Sequence, residues 1–128
     1  MGTEYLLDSN VIIGFLDNKI TPSGMKFVAK VVDKLSNISV ISKIEVLRFK
    51  AASSTEKILE DFANYSVVYQ LDEDVVEKTI EICRKHKIKL PDAIIAATCL
   101  VHRFVLLTRN VVDFKNIDNL NIVNPWEL

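Results

Sequence analysis

The sequence predicts one α/β domain over residues 1–128, a three-layer αβα sandwich around a central, mostly parallel sheet of about five strands. Short apolar runs of strand length alternate with longer segments whose apolar residues recur at helical spacing. This alternation is typical of a parallel sheet that is covered by helices on both faces. In addition, 128 residues is the size of one ordinary domain, and the chain contains no repeat, linker or low-complexity segment.

Each predicted strand is a short apolar run that ends at a polar residue or a turn. These runs are Tyr5–Leu7, Ile38–Ile41, Val67–Tyr69, Val105–Leu107 and Leu120–Val123. Apolar residues at helical spacing predict the helices between them. The helices are Ser9–Leu16, Met25–Leu35, one that begins at Ser42, Thr55–Tyr65, Asp72–Lys87, Ala93–Val101 and a short turn or helix at Val111–Phe114.

The charge balance neither indicates nor excludes a nucleic-acid partner. Lys and Arg number 16 against 17 Asp and Glu, but a partner responds to charge locally. Basic residues cluster at Arg84–Lys87 with Lys89, and around Lys43 and Arg48. Solvated helix faces and phosphate contacts both remain open as interpretations of these clusters.

The remaining composition predicts a cytoplasmic protein that does not associate with a membrane. No apolar run approaches the roughly 20 residues needed to cross a bilayer, and no signal peptide is visible. The two cysteines, Cys83 and Cys99, have no metal-site or disulfide-framework spacing and lie in apolar helical segments. We therefore expect both to be buried, reduced thiols.

Acidic residues lie at or near the ends of predicted strands. Asp8 directly follows the first strand, Glu45 lies one helical turn after the second, and Asn110 and Asp113 follow the fourth. Asp92 lies in the first turn of a very apolar helix. Because the carboxyl ends of parallel strands share one edge, where ligands of open α/β sheets bind, we expect these side chains to converge.

Each acid also has a purely structural explanation. Asp8 is placed to cap a helix, Ser42 and Glu45 have the spacing of a capping box, and Asp92 suits the positive end of a helix dipole. If the acids do converge, two neighbouring charges repel by about 4 kcal/mol at an effective dielectric near 20. Oxygen ligands without His or Cys select Mg²⁺ or Mn²⁺, ions suited to phosphodiester chemistry.

Around these acids the sequence resembles the PIN-domain nucleases and, among them, the VapC-like toxins. The resemblance extends over essentially the whole chain, and its most specific segment is Leu90–Thr98, which contains Pro-Asp-Ala. The other segments that carry it are Tyr5–Ile13, Ile41–Leu47, Leu107–Phe114 and Ile122–Trp126. The resemblance implies cleavage of RNA at an acidic, magnesium-dependent site.

The resemblance also implies roles for individual residues. Asp8 and Asp92 would be the main ligands of Mg²⁺ or Mn²⁺, and Glu45 would bind the metal or position and deprotonate the attacking water. Many relatives have Asp where this chain has Asn110, so Asp113 is expected to share the role of the fourth acid. The expected supporting residues are Ser9, Asn10, Thr108 and Asn110. The expected RNA contacts are Lys43, Arg48 and Arg109.

A VapC-like toxin would have an antitoxin partner and form a homodimer. The tail of the antitoxin would lie near the acids in a groove that four apolar residues could line, although the same residues could be core. They are Phe15, Leu47, Phe49 and Phe62.

Three other functions compete with this interpretation. An RNA-processing PIN nuclease outside a toxin–antitoxin pair remains open, as does a catalytically weakened binding module because of Asn110. A phosphorylation-dependent receiver domain is disfavoured, since Asp8 has no acidic neighbour and no acid directly follows the third strand.

Overall fold

Five short parallel strands form the central sheet in a computed structural model that describes residues 2–128. The strands are β1 Tyr5–Leu7, β2 Asn37–Ser39, β3 Val67–Tyr69, β4 Val105–Leu107 and β5 Ile122–Val123. Their spatial order is β3-β2-β1-β4-β5, and all four neighbouring pairs are parallel. Helices flank this sheet, so the predicted αβα sandwich is confirmed, with a sheet that is wholly rather than mostly parallel.

Within residues 2–128, seven α-helices and a terminal 3₁₀ turn connect and cover the strands. They are α1 Ser9–Leu16, α2 Pro22–Lys34, α3 Val40–Leu47, α4 Ser53–Tyr65, α5 Glu73–Lys85, α6 Leu90–His102, α7 Val111–Phe114 and the 3₁₀ turn Pro125–Glu127. Most predicted boundaries agree with these to within a few residues. No helix within residues 2–128 is both long and apolar enough to cross a membrane.

Two apolar clusters occupy the two faces of the sheet. Leu6 and Leu106 belong to a cluster built mainly from α5, α6 and α7, whereas Leu7 and Leu107 belong to one built from α1 to α4. Successive strand residues point to opposite faces, so neighbouring leucines serve different layers. Within α6, every residue of the segment 93–99 is buried, and this packing fixes the helix that carries Asp92.

Helix α3 begins earlier than the sequence predicted. Ser39 is its N-cap, and the Ser39 hydroxyl accepts a 3.1 Å hydrogen bond from the backbone N–H of Ile41. The capping-box interpretation of Ser42 and Glu45 is therefore wrong, because β2 ends at Ser39 and Ser42 lies inside the helix. The buried hydroxyl of Ser42 makes no hydrogen bond within the described chain.

The burial predicted for Cys83 is also wrong. Residues Val75, Thr79 and Ile82 form the buried side of α5, and this stripe rotates Cys83 to the exposed side. Either Ile82 or Cys83 would continue a helical spacing from Thr79, so the apolar pattern alone did not decide between them. Cys99 is buried, as expected, and neither thiol forms a disulfide.

The start of α2 packs closely against the end of the chain. Thr21 is its N-cap and accepts a 3.1 Å hydrogen bond from the backbone N–H of Gly24, while Pro22 occupies the first helical position. A Cβ atom added at Gly24 would collide with the carbonyl oxygen of Pro125. The missing side chain therefore allows α2 and the terminal 3₁₀ turn to touch.

We expect Gly24→Ala to lower the free energy of unfolding by about 1–3 kcal/mol, the usual cost of overpacking. Helix propensity alone would favour the alanine by about 1 kcal/mol. A loss rather than a gain in the free energy of unfolding would therefore come from the collision with Pro125. Urea denaturation measures it. The control is Gly2→Ala, where an added Cβ meets only the flexible end of Lys34. A stabilised Gly24→Ala variant would contradict the close packing.

Candidate active site

Asp8 forms the centre of the carboxyl edge of the sheet. It follows β1 directly, caps α1 and is only 4% exposed. One carboxylate oxygen accepts a 2.8 Å hydrogen bond from the backbone N–H of Ser9, and the other accepts one of 2.8 Å from the hydroxyl of Thr108. The side-chain amide of Asn10 lies 3.4 Å from that second oxygen.

Thr108 and Asn10 connect this carboxylate to the loop that follows β4. The Thr108 hydroxyl accepts a 3.1 Å hydrogen bond from the backbone N–H of Asn110, and the side-chain oxygen Oδ1 of Asn10 accepts one of 3.1 Å from the backbone N–H of Arg109. The segment 108–110 is thus tied to the start of α1. Parallel pairing of Leu7 with Leu107 makes this possible, because it brings residues 8 and 108 side by side.

The electrostatic environment of Asp8 favours its neutral form. The pKa of this carboxyl is raised to about 6, and burial is the largest cause. The hydrogen bonds from Thr108 and Ser9 offset only part of that effect, and the negative charges of Glu45 and Asp92 add to the rise. Three of the predicted acids therefore act on one another across the sheet edge.

Asp113, the fourth acid, is linked to this group through its electrostatic effect on Asp92. Burial raises the pKa of the Asp92 carboxyl, and the charges of Asp113 and Glu45 raise it further, while Lys89 acts in the opposite direction. The structure thus brings Glu45 and Asp92 within electrostatic range of Asp8, and Asp113 within range of Asp92. Glu45 and Asp92 are half-buried, and Asp113 is exposed.

The chemistry of these donors fits a hard divalent cation. All four are carboxylates, and the three ion pairs within residues 2–128 lie on α4 and α5, so no basic side chain neutralises Asp8 or Asp92 at salt-bridge distance. No three ligand-type side chains of the described residues stand in ready metal-binding positions. A cation would therefore have to draw the carboxylates together, and it would relieve the repulsion that raises their pKa values.

The other predicted site residues differ in their exposure and in their contacts. Ser9 contacts Asp8 through its backbone, and the side chain of Asn110 is exposed. Lys43 is half-buried on α3, whereas Arg48 is exposed at the end of that helix. The guanidinium of Arg109 lies 4.8 Å above the ring of Trp126.

Two cavities adjoin the acids on the side of Asp113. The larger has a volume of about 620 Å³ and is lined by Asp92, Asp113 and the loop between α5 and α6. The smaller, of about 290 Å³, is lined by Asp113 and residues around Arg109. The sequence left both a solvated face and phosphate contact open for the lysines of the α5–α6 loop, and only the fold brings them to the acids.

An αβα sandwich with carboxylates gathered at the carboxyl edge of a parallel sheet defines a class of small ligand-binding or hydrolytic domains. The family model described as PIN domain matches residues 5–120. The chain belongs to the PIN domain family, as the sequence motifs predicted.

Solved structures show the same fold. A chain of a toxin–antitoxin complex from Klebsiella pneumoniae is 27% identical, with a TM-score of 0.77 over 98% of this chain and 100% of that one. A chain of DNA-bound VapBC from Salmonella typhimurium is 22% identical, with a TM-score of 0.80 over 97% and 99%. A chain of VapBC2 from Rickettsia felis bound to promoter DNA is 20% identical, with a TM-score of 0.76 over 95% and 98%. A comparison with curated proteins finds no significant match.

The raised pKa of Asp8 predicts that Asp8→Asn stabilises the metal-free protein at neutral pH. The folded state holds the proton more tightly than the unfolded state, so wild-type stability falls as pH rises from about 4 to about 6 and then levels off. Above pH 6 the penalty is about 3 kcal/mol. We expect the variant to gain up to that amount at pH 7.5 and less than about 1 kcal/mol at pH 4.

Urea denaturation in EDTA at the two pH values measures this difference. The control is Asp118→Asn, which removes an exposed carboxylate and should have the same small effect at both. A stability difference between wild type and Asp8→Asn that does not change with pH would contradict the electrostatic origin.

Proposed function

We propose that this protein is a divalent-metal-dependent ribonuclease and the toxin of a toxin–antitoxin pair. The observation that carries the proposal is the convergence of Asp8, Glu45, Asp92 and Asp113 at the carboxyl edge of a PIN domain. The similarity to chains of toxin–antitoxin complexes supports the biological role.

The proposed metal is Mg²⁺ or Mn²⁺, held mainly by Asp8 and Asp92. When bound, such an ion polarises the phosphodiester and lowers the pKa of water. Glu45 is half-buried and acts electrostatically on both Asp8 and Asp92, and we assign it the role of orienting the attacking water and accepting its proton. Asp113, on the exposed side, takes the place of the fourth acid.

The network around Asp8 keeps its carboxylate in one orientation. The Thr108 hydroxyl and the Ser9 backbone N–H each hold one oxygen, and Asn10 and the backbone of Asn110 hold Thr108. Because these donors are fixed by β4 and α1, we assign Ser9, Asn10, Thr108 and Asn110 a positioning role. They hold the ligand oxygens ready for the cation.

RNA is the proposed substrate, and basic residues around the acids are the proposed phosphate contacts. Lys43 lies two residues before Glu45 on α3, Arg48 ends that helix, and Arg109 follows Thr108 directly. Cation–π contact with Trp126 restricts the Arg109 side chain without using its hydrogen-bond donors.

The proposed antitoxin lies against the end of α3 and the start of α4. Leu47 and Phe49 are exposed, and with Glu56, Leu59 and Glu60 they line a cavity of about 130 Å³. The two glutamates suit a basic side chain on an otherwise apolar tail. Of the other two apolar residues named from the sequence, Phe62 is buried and Phe15 is partly buried, so these belong to the core.

We also propose a homodimer, which light scattering on the purified chain would test.

The first experiment measures cleavage of single-stranded and structured RNA by the purified chain with Mg²⁺, Mn²⁺ or EDTA. We expect cleavage with either metal and none in EDTA. Asp8→Asn and Asp92→Asn should each lower kcat by at least about a hundredfold, since each removes a charged ligand of the cation. The matched control Asp118→Asn should cleave as the wild type does.

Other outcomes would favour other functions. RNA binding without cleavage by the folded, metal-loaded wild type would indicate a weakened binding module, which Asn110 at the fourth acidic position would explain. Cleavage that survives both active-site substitutions would reject this site.

The antitoxin surface has its own test. The tagged chain, purified from its native cell, should retain a small partner that inhibits RNA cleavage in stoichiometric amount. Phe49→Asp should lose both the partner and the inhibition while keeping the ribonuclease activity, because it places a charge in the apolar groove. Ile80→Asp, at an exposed apolar residue of α5, is the control. A Phe49→Asp variant that is still inhibited would reject this surface, and an active wild type without an inhibitory partner would indicate an RNA-processing nuclease.

A further inference from the structure

We propose that a single RNA strand crosses the acids along the two adjoining cavities. Lys87 and Lys89 would hold its phosphates at one end and Arg109 at the other. An unpaired base would pack against Val112 between them. This inference rests on the proposed ribonuclease function and specifies the path and the single-stranded form of its substrate.

The two cavities adjoin each other at α7, and together we call them the α7 groove. It comprises the 620 Å³ cavity beside the α5–α6 loop and the 290 Å³ cavity beside Arg109. Both are lined by Val112 and Asp113 of α7, so these two residues lie where the cavities meet. Asp92 lines the larger cavity, so the acids adjoin the groove rather than lying outside it.

The first end of the α7 groove carries unpaired positive charge. Lys87 and Lys89 line it and are exposed, and neither takes part in the three ion pairs found within residues 2–128. Lys89 also lowers the pKa of Asp92, so its charge acts at the proposed reaction centre. Lysines beside a carboxylate site are suited to hold the phosphates that flank the bond being cut.

The second end is positive through Arg109. Its backbone N–H bonds to Asn10, which ties it to the network around Asp8, and its guanidinium lies over Trp126. Glu127 lines the same cavity, but its carboxylate accepts a 3.0 Å hydrogen bond from the side chain of Asn124. The guanidinium therefore remains available to a phosphate.

Val112 indicates that the strand is unpaired. It is 73% exposed, more than any other large hydrophobic residue of the described chain, and it lines both cavities of a groove whose other residues are mostly charged or polar. Such a side chain contributes nothing to the core, but it offers an apolar surface to the face of a nucleobase. Paired bases in an RNA duplex are stacked and cannot present that face, so the groove favours a single strand.

The test measures binding of a labelled single-stranded RNA in EDTA over a range of salt concentrations. We expect Lys87→Gln/Lys89→Gln to weaken binding by about tenfold or more near physiological salt. It should also reduce the slope of log affinity against log salt by about 1.4, because two phosphate contacts on a single strand are lost. Lys26→Gln/Lys30→Gln removes two exposed lysines of α2 and should leave the slope unchanged.

Val112 is tested in the same assay. Val112→Ala should weaken binding of the single strand by about threefold and leave the salt slope unchanged, because it removes apolar contact and no charge. Ile80→Ala is the matched control on α5. The same RNA annealed to its complement should bind the wild type more weakly than the single strand does.

The results separate this inference from the proposed function. If the wild type cleaves RNA with Mg²⁺ but the lysine and Val112 variants bind and cleave unchanged, the path is wrong and the ribonuclease stands. If binding changes as expected but no RNA is cleaved, the path stands and the ribonuclease fails. If the wild type neither binds nor cleaves RNA, both are rejected.

Discussion

Asp8 carries an unfavourable buried charge, and the organisation of the sheet edge depends on it. Its carboxylate is 4% exposed and has no ion-pair partner within residues 2–128. Ser9 and Thr108 supply strong donors, but they come from α1 and from the end of β4, so both must be in register for Asp8 to be tolerated. The part of the desolvation cost that these hydrogen bonds do not offset raises the pKa of the carboxyl to about 6. An incompletely compensated buried charge at a sheet edge is typical of a functional site.

The parallel topology explains how residues far apart in the sequence meet there. β1 lies between β2 and β4 and is parallel to both, so the carboxyl ends of all three strands lie at the same edge of the sheet. Asp8 comes directly from β1, whereas Glu45 is carried by α3, which begins where β2 ends. Asp92 arrives by α6, whose orientation is fixed by nearly complete burial. Each acid thus has a different structural support.

The sequence predicted the fold class and the four acids because both depend on local signals, namely apolar periodicity and position after a strand. It could not decide between neighbouring residues whose environment depends on distant contacts. Ser39 rather than Ser42 caps α3 because β2 pairs with β3 as far as Ser39 and Tyr69 and leaves the sheet there. Cys83 is exposed because packing against α6 selects Ile82 for the buried stripe. The position of the α3 N-cap and the exposure of Cys83 therefore both depend on contacts with residues of other elements.

The same limit applies to charge. A net charge of −1 describes no binding surface, because the fold separates basic residues that the sequence places together. Lys85 lies on α5 within 3.7 Å of Glu81, whereas Lys87 and Lys89 leave the helix and line the cavity that contains Asp92. The acids alone would repel a polyanion, and a bound cation would reverse that only locally. On the proposed path, positive groups beyond the acids at both ends of the α7 groove would give RNA an affinity that does not require the metal, and binding and cleavage would then depend on separable groups.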